Sequence, residues 1–512
     1  MEFSVQLALL LIVVLAALDL WVGVANDAVN FLNAAIGSRV ATRRAILWVA
    51  AAGVLFGALT SSGLMEVARR GVFDPTRFSS PETGALLLGS ILAIYLAVMV
   101  ADVLLLDLFN TFGLPTSTTV SIISELVGAS LAVALWTLPG GLSGALDVIQ
   151  SGPVVGIYTG IFTSVLVAFT TSAVLMFVVR LIYGHHLDRT FPVWGWMWTG
   201  ASLAALTYFV VFKGLSNAAV LPERLDLFLH EQIAPLMALA FVTGSAIALV
   251  LRRHHQRVLT ALILLGTGAL AVAFAGNDLV NFIGPAVAAA QAVFSAGAEL
   301  SGAAQTPPWA LLLAGAMMVG ALVTSRKARR VTDTEIRLAG HSSTTQRFNG
   351  NGIAAGIVGL GRLAVATTAS WIPPSVRSAA LRRVAPPPRD PHDPPYDPLR
   401  ASVNLTVAAL LISTGTTLGL PLSTTYITFT AAMGAALGDL AWSRHDAEQR
   451  VAGILVVLGG WVVTGVLAAL GAFAVASLIV LGGTGGVLLA TGGVAFGIYR
   501  LHHVKGQDTE HG

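Results

Sequence analysis

The stretch Asn26-Asp27-Ala28-Val29-Asn30-Phe31 places one acid and two amides inside an otherwise apolar segment, and it returns as Asn277-Asp278-Leu279-Val280-Asn281-Phe282. A charged side chain near the centre of a bilayer costs about 2.5–3.5 kcal/mol on insertion scales, so an acid at that depth indicates a functional site. Two copies of one pattern therefore predict a duplicated site.

The composition around both copies is that of a polytopic membrane protein. Of 512 residues, 55% are hydrophobic and 11% are charged, and the mean hydropathy is +0.79. Because a spanning helix needs about 20 apolar residues, the apolar blocks predict an all-α protein with about 10–12 transmembrane helices. Basic residues confined to short clusters argue against a nucleic-acid surface, and the lack of cysteine excludes disulfides and thiolate metal sites.

A second pattern follows each copy of the first, as Gly113-Leu114-Pro115-Thr116-Ser117-Thr118-Thr119 and as Gly419-Leu420-Pro421-Leu422-Ser423-Thr424-Thr425. Proline disfavours helix at the preceding residue and suits the first turn of a new helix, whereas Ser and Thr cap helices. Irregular backbone at membrane depth is tolerated only inside protein or along a cavity. Each motif therefore predicts a broken helix or re-entrant hairpin.

Basic clusters indicate how the two halves are oriented. Arg39, Arg43 and Arg44 follow the first acidic motif, whereas Arg252, Arg253 and Arg257 precede the second. If these clusters mark the cytoplasm, the first motif helix runs inward and the second outward. The sequence thus predicts two inverted-topology repeats, an architecture in which secondary transporters build a midplane site between the repeats.

The repeats and an interruption between them divide the chain. We predict transmembrane repeat 1 at 1–190, connecting transmembrane helices at 191–257, repeat 2 at 258–324 and 401–500, a polar cytoplasmic insertion at 325–400 and a polar tail at 501–512. The insertion opens with a basic cluster and ends in a proline-rich run that cannot form a spanning helix. Within it, residues 353–369 are predicted to form a helix on the membrane surface.

The two predicted hairpins suit an anion. A half-helix N-terminus presents free N–H groups and the positive end of the helix dipole, which favour an oxyanion. Hydroxyl groups stand at both N-termini, from Ser117, Thr118 and Thr119 and from Ser423, Thr424 and Thr425. The competing interpretation is that they only cap helices or bond to carbonyls, but their duplication at matched positions favours a shared anion site.

The acidic motifs suit a cation. Carboxylates and amides provide oxygen ligands for sodium, and a carboxylate can equally carry a proton. The residues concerned are Asp27, Asp278, Asn26, Asn30, Asn277 and Asn281. Alternatively, each Asp caps a local break and the Asn side chains bond across helices.

Three further acids, Asp102, Asp107 and Glu125, stand outside the duplicated pattern. They are compatible with another cation site, a proton relay, a water-filled cavity or interhelical hydrogen bonds.

At these residues the chain resembles the inorganic phosphate transporter (PiT) family, which carries duplicated Gly-Ala-Asn-Asp-x-Ala-Asn signatures and duplicated Gly-Leu-Pro-x-Ser-Thr-Thr hairpins. Here the signatures read Val24-Ala25-Asn26-Asp27-Ala28-Val29-Asn30 and Ala275-Gly276-Asn277-Asp278-Leu279-Val280-Asn281. The resemblance covers residues 1–325 and 400–500 and excludes most of the insertion.

The resemblance implies inverted repeats and one anion site shared by the hairpins. If the site residues of the family are transferred to the matching positions of this chain, the residues that contact phosphate are Ser117, Thr118, Thr119, Ser423, Thr424, Thr425, Asn30 and Asn281. Sodium or a proton is bound at Asp27 and Asp278, with Asn26 and Asn277 beside them.

The function so implied is symport of inorganic phosphate with sodium or a proton, by alternating access, in a cell membrane. We expect the protein to lie in a lipid bilayer, in particular a bacterial inner membrane. We expect no other cofactor and no nucleic-acid partner, and a homodimer is one option for the assembly. A sulfate or other oxyanion permease of the same architecture is the alternative. We do not expect an enzyme, because His-Glu-x-x-His and Gly-x-Ser-x-Gly are missing, and paired broken helices suit occlusion better than a channel.

Overall fold

The computed structural model describes residues 4–61, 71–79, 87–211, 223–294, 307–340, 352–371, 373–387, 393–417, 422–442 and 447–504. This part of the chain is built from α-helices, and its β pairing is limited to one bridge between Phe73 and Ile149. The all-α class predicted from the sequence is confirmed.

The helices are numbered in chain order. The first nine are α1 (Val5–Asp27), α2 (Val29–Ser38), α3 (Arg43–Leu59), α4 (Leu88–Phe112), α5 (Thr118–Thr137), α6 (Gly141–Leu146), α7 (Ser151–Tyr183), α8 (Leu187–Phe209) and α9 (Glu223–Glu231). The others are α10 (Ile233–Val250), α11 (His255–Phe294), α12 (Pro308–Thr324), α13 (Arg326–Ala339), α14 (Gly352–Ala369), α15 (Pro374–Val384), α16 (Pro398–Thr417), α17 (Thr424–Gly438) and α18 (Ala447–Val504). A 3-10 turn lies at Pro75–Arg77, and α18 is kinked at Gly483.

Several of these helices can span a bilayer. Over the described ranges, seven spans are long and apolar enough, one of them formed by α1 and α2 together, and α12 with α13 adds an eighth if this pair, bent by 69°, counts as one span. The predicted total of about 10–12 also counted the shorter or less apolar helices α3, α8, α16 and α17. The protein is a multi-pass membrane protein.

The two motif helices pass each other in opposite directions. Gly23 of α1 lies so close to Phe282 of α11 that a Cβ atom on it would fall 2.0 Å from Phe282 Cε1. Further along, the rings of Phe31 and Phe274 are 5.3 Å apart. Rising numbers in one helix thus meet falling numbers in the other, so the predicted antiparallel arrangement is present. The repeat aligns position 23 with 274 and 31 with 282, and the two contacts are therefore equivalents of each other.

The helices that follow the hairpins pack through matched glycines. A Cβ atom on Gly128 of α5 would lie 2.0 Å from the Ala469 carbonyl of α18, and one on Gly434 of α17 would lie 2.2 Å from the Phe169 carbonyl of α7. Small residues allow helix backbones to approach closely inside membranes. Positions 128 and 434 correspond in the repeat, so the helix that follows each hairpin packs against its neighbour through a glycine at the same position.

A buried ion cluster fixes the far end of α17. Arg180 of α7 contacts Asp439 and Asp397, each at 2.6 Å, and Arg400 reaches Asp439 at 3.5 Å. Burial raises the pKa of Asp397, but the neighbouring Arg180 guanidinium outweighs burial and holds that pKa below its usual range. The cluster joins α7, α16 and α17.

The start of the predicted insertion is part of the packed body. Helix α13 turns its charged face outward, and its other face lies on α1, α2, α4 and α17. Lys327 Nζ donates to Asp107 Oδ1 at 2.5 Å, and Asn33 donates to Glu335. The helix predicted at 353–369 is present as α14. The repeat and insertion boundaries stay predictions.

Candidate functional site

Both hairpins restart as helices at the predicted threonines. Helix α5 begins at Thr118, and Ser117 Oγ accepts the backbone N–H of Val120 at 3.2 Å. Helix α17 begins at Thr424, and Ser423 Oγ accepts the N–H of Tyr426 at 3.3 Å. Both serines therefore cap helices, as the competing interpretation proposed, while the threonines that follow are engaged elsewhere. Residues 418–421 of the second hairpin lie outside the described residues.

A chain of hydrogen bonds joins repeat 2 to repeat 1. Asn281 Nδ2 of α11 donates to Thr118 Oγ1 at 3.2 Å, and Thr118 Oγ1 donates to Asp27 Oδ2 at 3.1 Å. Asn281 also donates to Thr119 Oγ1 at 3.2 Å. The order is amide, hydroxyl, carboxylate.

The mirror chain joins repeat 1 to repeat 2. Asn30 Nδ2 approaches Thr424 Oγ1 at 3.5 Å, and Thr424 Oγ1 donates to Asp278 Oδ2 at 2.5 Å. Asn30 also donates to Thr425 Oγ1 at 3.0 Å, and Thr425 donates to Asp27 Oδ1 at 3.2 Å. Each asparagine thus bonds the hairpin of the opposite repeat, and Asp27 receives hydroxyls from both hairpins.

The hydrogen-bond partners of Asp27 and Asp278 do not balance the negative charge of these two carboxylates. Asp27 is fully buried and Asp278 is 2% exposed. Their hydrogen-bond partners among the described residues are neutral hydroxyl and amide groups. Neutral donors compensate a buried carboxylate only in part. The site is therefore suited to a bound cation, while its helix N-termini and hydroxyls can serve an anion.

Asn26 supports the first hairpin. Its Nδ2 donates to Asn110 Oδ1 at 2.8 Å and to the Leu114 carbonyl at 3.1 Å, and its Oδ1 accepts the Thr116 N–H at 2.9 Å. Asn277, its repeat counterpart, is half-buried on α11, a helix that continues without interruption through the motif. The proposed roles of Asn26 and Asn277 as cation ligands stay predictions.

Two members of the network were not identified from the sequence. Asn110 bonds Asn26 and also donates to the Val22 carbonyl at 2.7 Å, and Thr428 Oγ1 donates to Asn30 Oδ1 at 3.2 Å. The repeat places Thr416 and Ile122 at the corresponding positions. Because neither residue is duplicated, the repeat gave no signal for them.

The three unduplicated acids have separate surroundings. Asp107 pairs with Lys327, whereas Asp102 and Glu125 both contact the hydroxyl of Ser121. Over the ranges described, no group of three or more His, Asp or Glu side chains is arranged to hold a metal ion. The bonds of Ser121 to Asp102 and of Lys327 to Asp107 join different helices, so interhelical hydrogen bonding, one of the options for these acids, is observed for Asp102 and Asp107.

Comparison with known proteins gives a consistent set of relatives. The profile of the phosphate transporter family matches residues 23–370. A candidate phosphate permease of Pyrococcus abyssi is 26% identical over 322 residues, which cover 60% of this chain and 72% of that protein. One from Haemophilus influenzae is 22% identical over 452 residues, covering 86% and 89%.

A solved structure has the same fold. It is described as the sodium-dependent phosphate transporter, and it superposes with a TM-score of 0.63 at 15% identity, covering 93% of this chain and 99% of that one.

Proposed function

The chain belongs to the phosphate transporter family, and we propose that it carries inorganic phosphate across a cell membrane together with sodium or a proton, by alternating access. The family and the structural neighbour are transporters and not enzymes. The observation that carries the proposal is the pair of crossed hydrogen-bond chains, Asn281 to Thr118 to Asp27 and Asn30 to Thr424 to Asp278.

The two hydrogen-bond chains suggest how cation binding and anion binding are coupled. Phosphate oxygens need donors, but the hydroxyl protons of Thr118, Thr424 and Thr425 are directed at carboxylates. A cation at Asp27 and Asp278 would compete for the carboxylate oxygens and release these protons toward the anion. Cation binding therefore strengthens phosphate binding, and by linkage phosphate strengthens cation binding equally.

The proposed ligands follow from this scheme. Phosphate lies between the N-termini of α5 and α17, where it takes hydroxyl and amide donors from Ser117, Thr118, Thr119, Ser423, Thr424, Thr425, Asn30 and Asn281. The cation lies at Asp27 and Asp278, near Asn26 and Asn277. The name of the structural neighbour favours sodium.

Alternating access is supported by the hydrogen bonds with which Asn30 and Asn281 each connect one repeat to the hairpin of the other. Antiparallel repeats related through a central site can rock against each other while the site stays fixed. The amide donors of Asn30 and Asn281 would then change partners together because each belongs to one half and bonds the other. We place the protein in a bacterial inner membrane, with a homodimer as its candidate assembly.

Uptake into proteoliposomes tests the function. Labelled phosphate is offered with and without an inward sodium gradient to the wild type and to Asp27→Asn and Asp278→Asn. Asp188→Asn is the matched control because its side chain is 90% exposed. The wild type and control should accumulate phosphate with the gradient, and each site variant should lose about tenfold or more, since a hydrogen bond to a charged group contributes about 1.5–3 kcal/mol.

The contrary results are distinct. Gradient-driven uptake in Asp278→Asn equal to the wild type would remove that carboxylate from the mechanism. Transport blocked by sulfate but indifferent to phosphate would identify a sulfate permease. Uptake that never exceeds the external concentration in the presence of a gradient would identify a channel.

A further inference from the structure

A second group of buried acids lies apart from the paired motifs. Asp19 of α1, Asp102 of α4 and Glu125 of α5 are each fully buried, and so is Ser121 of α5. Helices α1 and α5 both pack against α4, which brings the group together. Asp19 precedes Asp27 by about two helical turns on the same helix.

The hydroxyl at its centre has too few protons for its contacts. Ser121 Oγ lies 2.7 Å from Asp102 Oδ1 and 2.9 Å from Glu125 Oε1. A serine hydroxyl carries one proton and can donate it to one of these oxygens only. The other short contact is a hydrogen bond only if that carboxyl carries a proton and donates it to Ser121. The geometry therefore requires a protonated acid.

The remaining carboxyl oxygens contact one another. Both oxygens of Asp19, Oδ2 of Asp102 and Oε2 of Glu125 are buried and accept no N–H or hydroxyl proton among the described residues, and side-chain contacts join the carboxyl of Asp19 to that of Asp102 and the carboxyl of Asp102 to that of Glu125. A buried ionised carboxylate without a partner costs far more than a neutral one and takes up a proton instead. The partner of Asp19 is the carboxyl of Asp102, and two carboxyls form a hydrogen bond only if one of them carries a proton.

The titratable groups facing the cluster do not neutralise it. Asp27 stands on α1, Asp278 on the adjoining part of α11, and Tyr158 of α7 bonds Ser124 beside Glu125. Asp107 of α4 is paired with Lys327 of α13. Residues 308–324 of α12 and 451–499 of α18 contain no acidic or basic side chain. The described helices around the cluster thus add acids or a phenol.

Repeat symmetry does not account for the cluster. The positions corresponding to Asp19, Asp102, Ser121 and Glu125 in the second repeat are Leu270, Ala408, Ile427 and Ala431. All four are apolar, so an inverted repeat of this kind packs without any polar group there. The acids of repeat 1 are therefore not required for the packing of the repeat.

We propose that Asp19, Asp102 and Glu125, with Ser121, form a proton-binding site that couples proton movement to phosphate transport. This rests on the proposed function. A carboxylate of the cluster takes a proton from water on one side, forming an O–H bond, and releases it to water on the other side after the conformational change. Because Asp19 and Asp27 share α1, the charge at the cluster controls whether α1 can stay buried against α4, and so acts on the phosphate site.

The test compares two transport modes in sodium-free proteoliposomes. Phosphate–phosphate exchange needs no net proton movement, whereas accumulation driven by an acidic exterior does. Glu125→Gln and Asp19→Asn remove one proton site each, with Asp188→Asn as the control. A trapped pH dye reports proton entry. One pH unit should support about a tenfold accumulation per coupled proton in the wild type, and the two variants should lose it while keeping exchange.

Each result has a separate meaning. Acid-driven accumulation retained in Glu125→Gln and Asp19→Asn overturns the proton site. A wild type that exchanges phosphate but admits no proton also overturns it and leaves the proposed function intact. A wild type that exchanges phosphate only after sodium is added is coupled to sodium alone and overturns the proton site, whereas a wild type that exchanges no phosphate with or without sodium overturns the proposed function itself. If a variant does not fold, infrared spectroscopy of the wild type decides, since the site requires a protonated-carboxyl band at neutral pH and its lack refutes the site.

Discussion

The two copies of the acidic motif have similar sequences and different surroundings. In the first, α1 leads into α2 through Ala28, whose backbone is itself helical, and Asn26 holds the adjacent hairpin with three hydrogen bonds. In the second, α11 runs uninterrupted from His255 to Phe294, and Asn277 is half-buried. The central contacts of Asn30 and Asn281 nevertheless match.

The comparison assigns different roles to different residues of the motif. Both copies share the hydrogen bonds between the repeats, which run from the asparagines to the threonines and on to the aspartates. What they do not share is the support behind these bonds, which includes Asn110 and the acid cluster of repeat 1. We infer that the shared residues handle the ions and that repeat 1 provides the more rigid support.

The largest contrast is expected between Asn26→Ala and Asn277→Ala. Loss of Asn26 leaves several buried partners without a hydrogen bond, each costing about 1–3 kcal/mol, so the melting temperature in detergent should fall by several degrees and uptake should be lost. Asn277→Ala should change stability by about 0.5 kcal/mol or less. Equal melting temperatures for the two variants would contradict the distinction between support and site.

A symmetric loss is expected from Thr118→Val and Thr424→Val. Each replacement keeps the shape and removes one hydroxyl donated to an aspartate, worth about 1.5–3 kcal/mol. The KM for phosphate should rise by about 10- to 100-fold in both variants. Thr119→Val, which keeps both aspartate contacts, should have a smaller effect. Kinetics of labelled uptake measure this, and a large effect in one hairpin alone would show that the halves contribute unequally.

The smallest effect on transport is expected from Gly128→Ala and Gly434→Ala. A methyl group would lie 2.0 Å from the Ala469 carbonyl oxygen or 2.2 Å from the Phe169 carbonyl oxygen. Both distances are well inside van der Waals contact, so the helices must move apart, and overpacking of this kind costs about 1–3 kcal/mol. Thermal unfolding should show similar losses for the two variants. Gly459→Ala is the control because a Cβ atom there has open space. A loss confined to one variant would mean that only one hairpin is seated tightly.

The repeats made much of this architecture predictable. Two motifs in the same order with opposite flanking charge predicted the antiparallel halves and the hairpins. The family resemblance placed Asn30 and Asn281 at one anion site with the threonines that they contact in the structure. The pairing across the halves was predicted only in outline because neighbours between helices depend on packing. Sequence spacing does not specify that packing.

Other features are harder to predict from the sequence. Asn110 and Thr428 are single polar residues in helices, and their importance depends on neighbours more than eighty positions away. Helix α13 was included in a polar insertion because of its charges. Its exposed charged residues recur at helical spacing on one face, and this amphipathic period was the signal that the other face packs against the body.

The crossed asparagines also bear on how such a chain arose. Asn30 donates to a threonine of the second half, and Asn281 donates to threonines of the first. A single half, expressed alone, could make these bonds only by pairing with an identical chain inserted in the opposite direction, as a two-fold dimer. Gene fusion would then free each copy to diverge, and the buried acids Asp19, Asp102 and Glu125, whose counterparts in the second half are apolar, are one place where the copies differ.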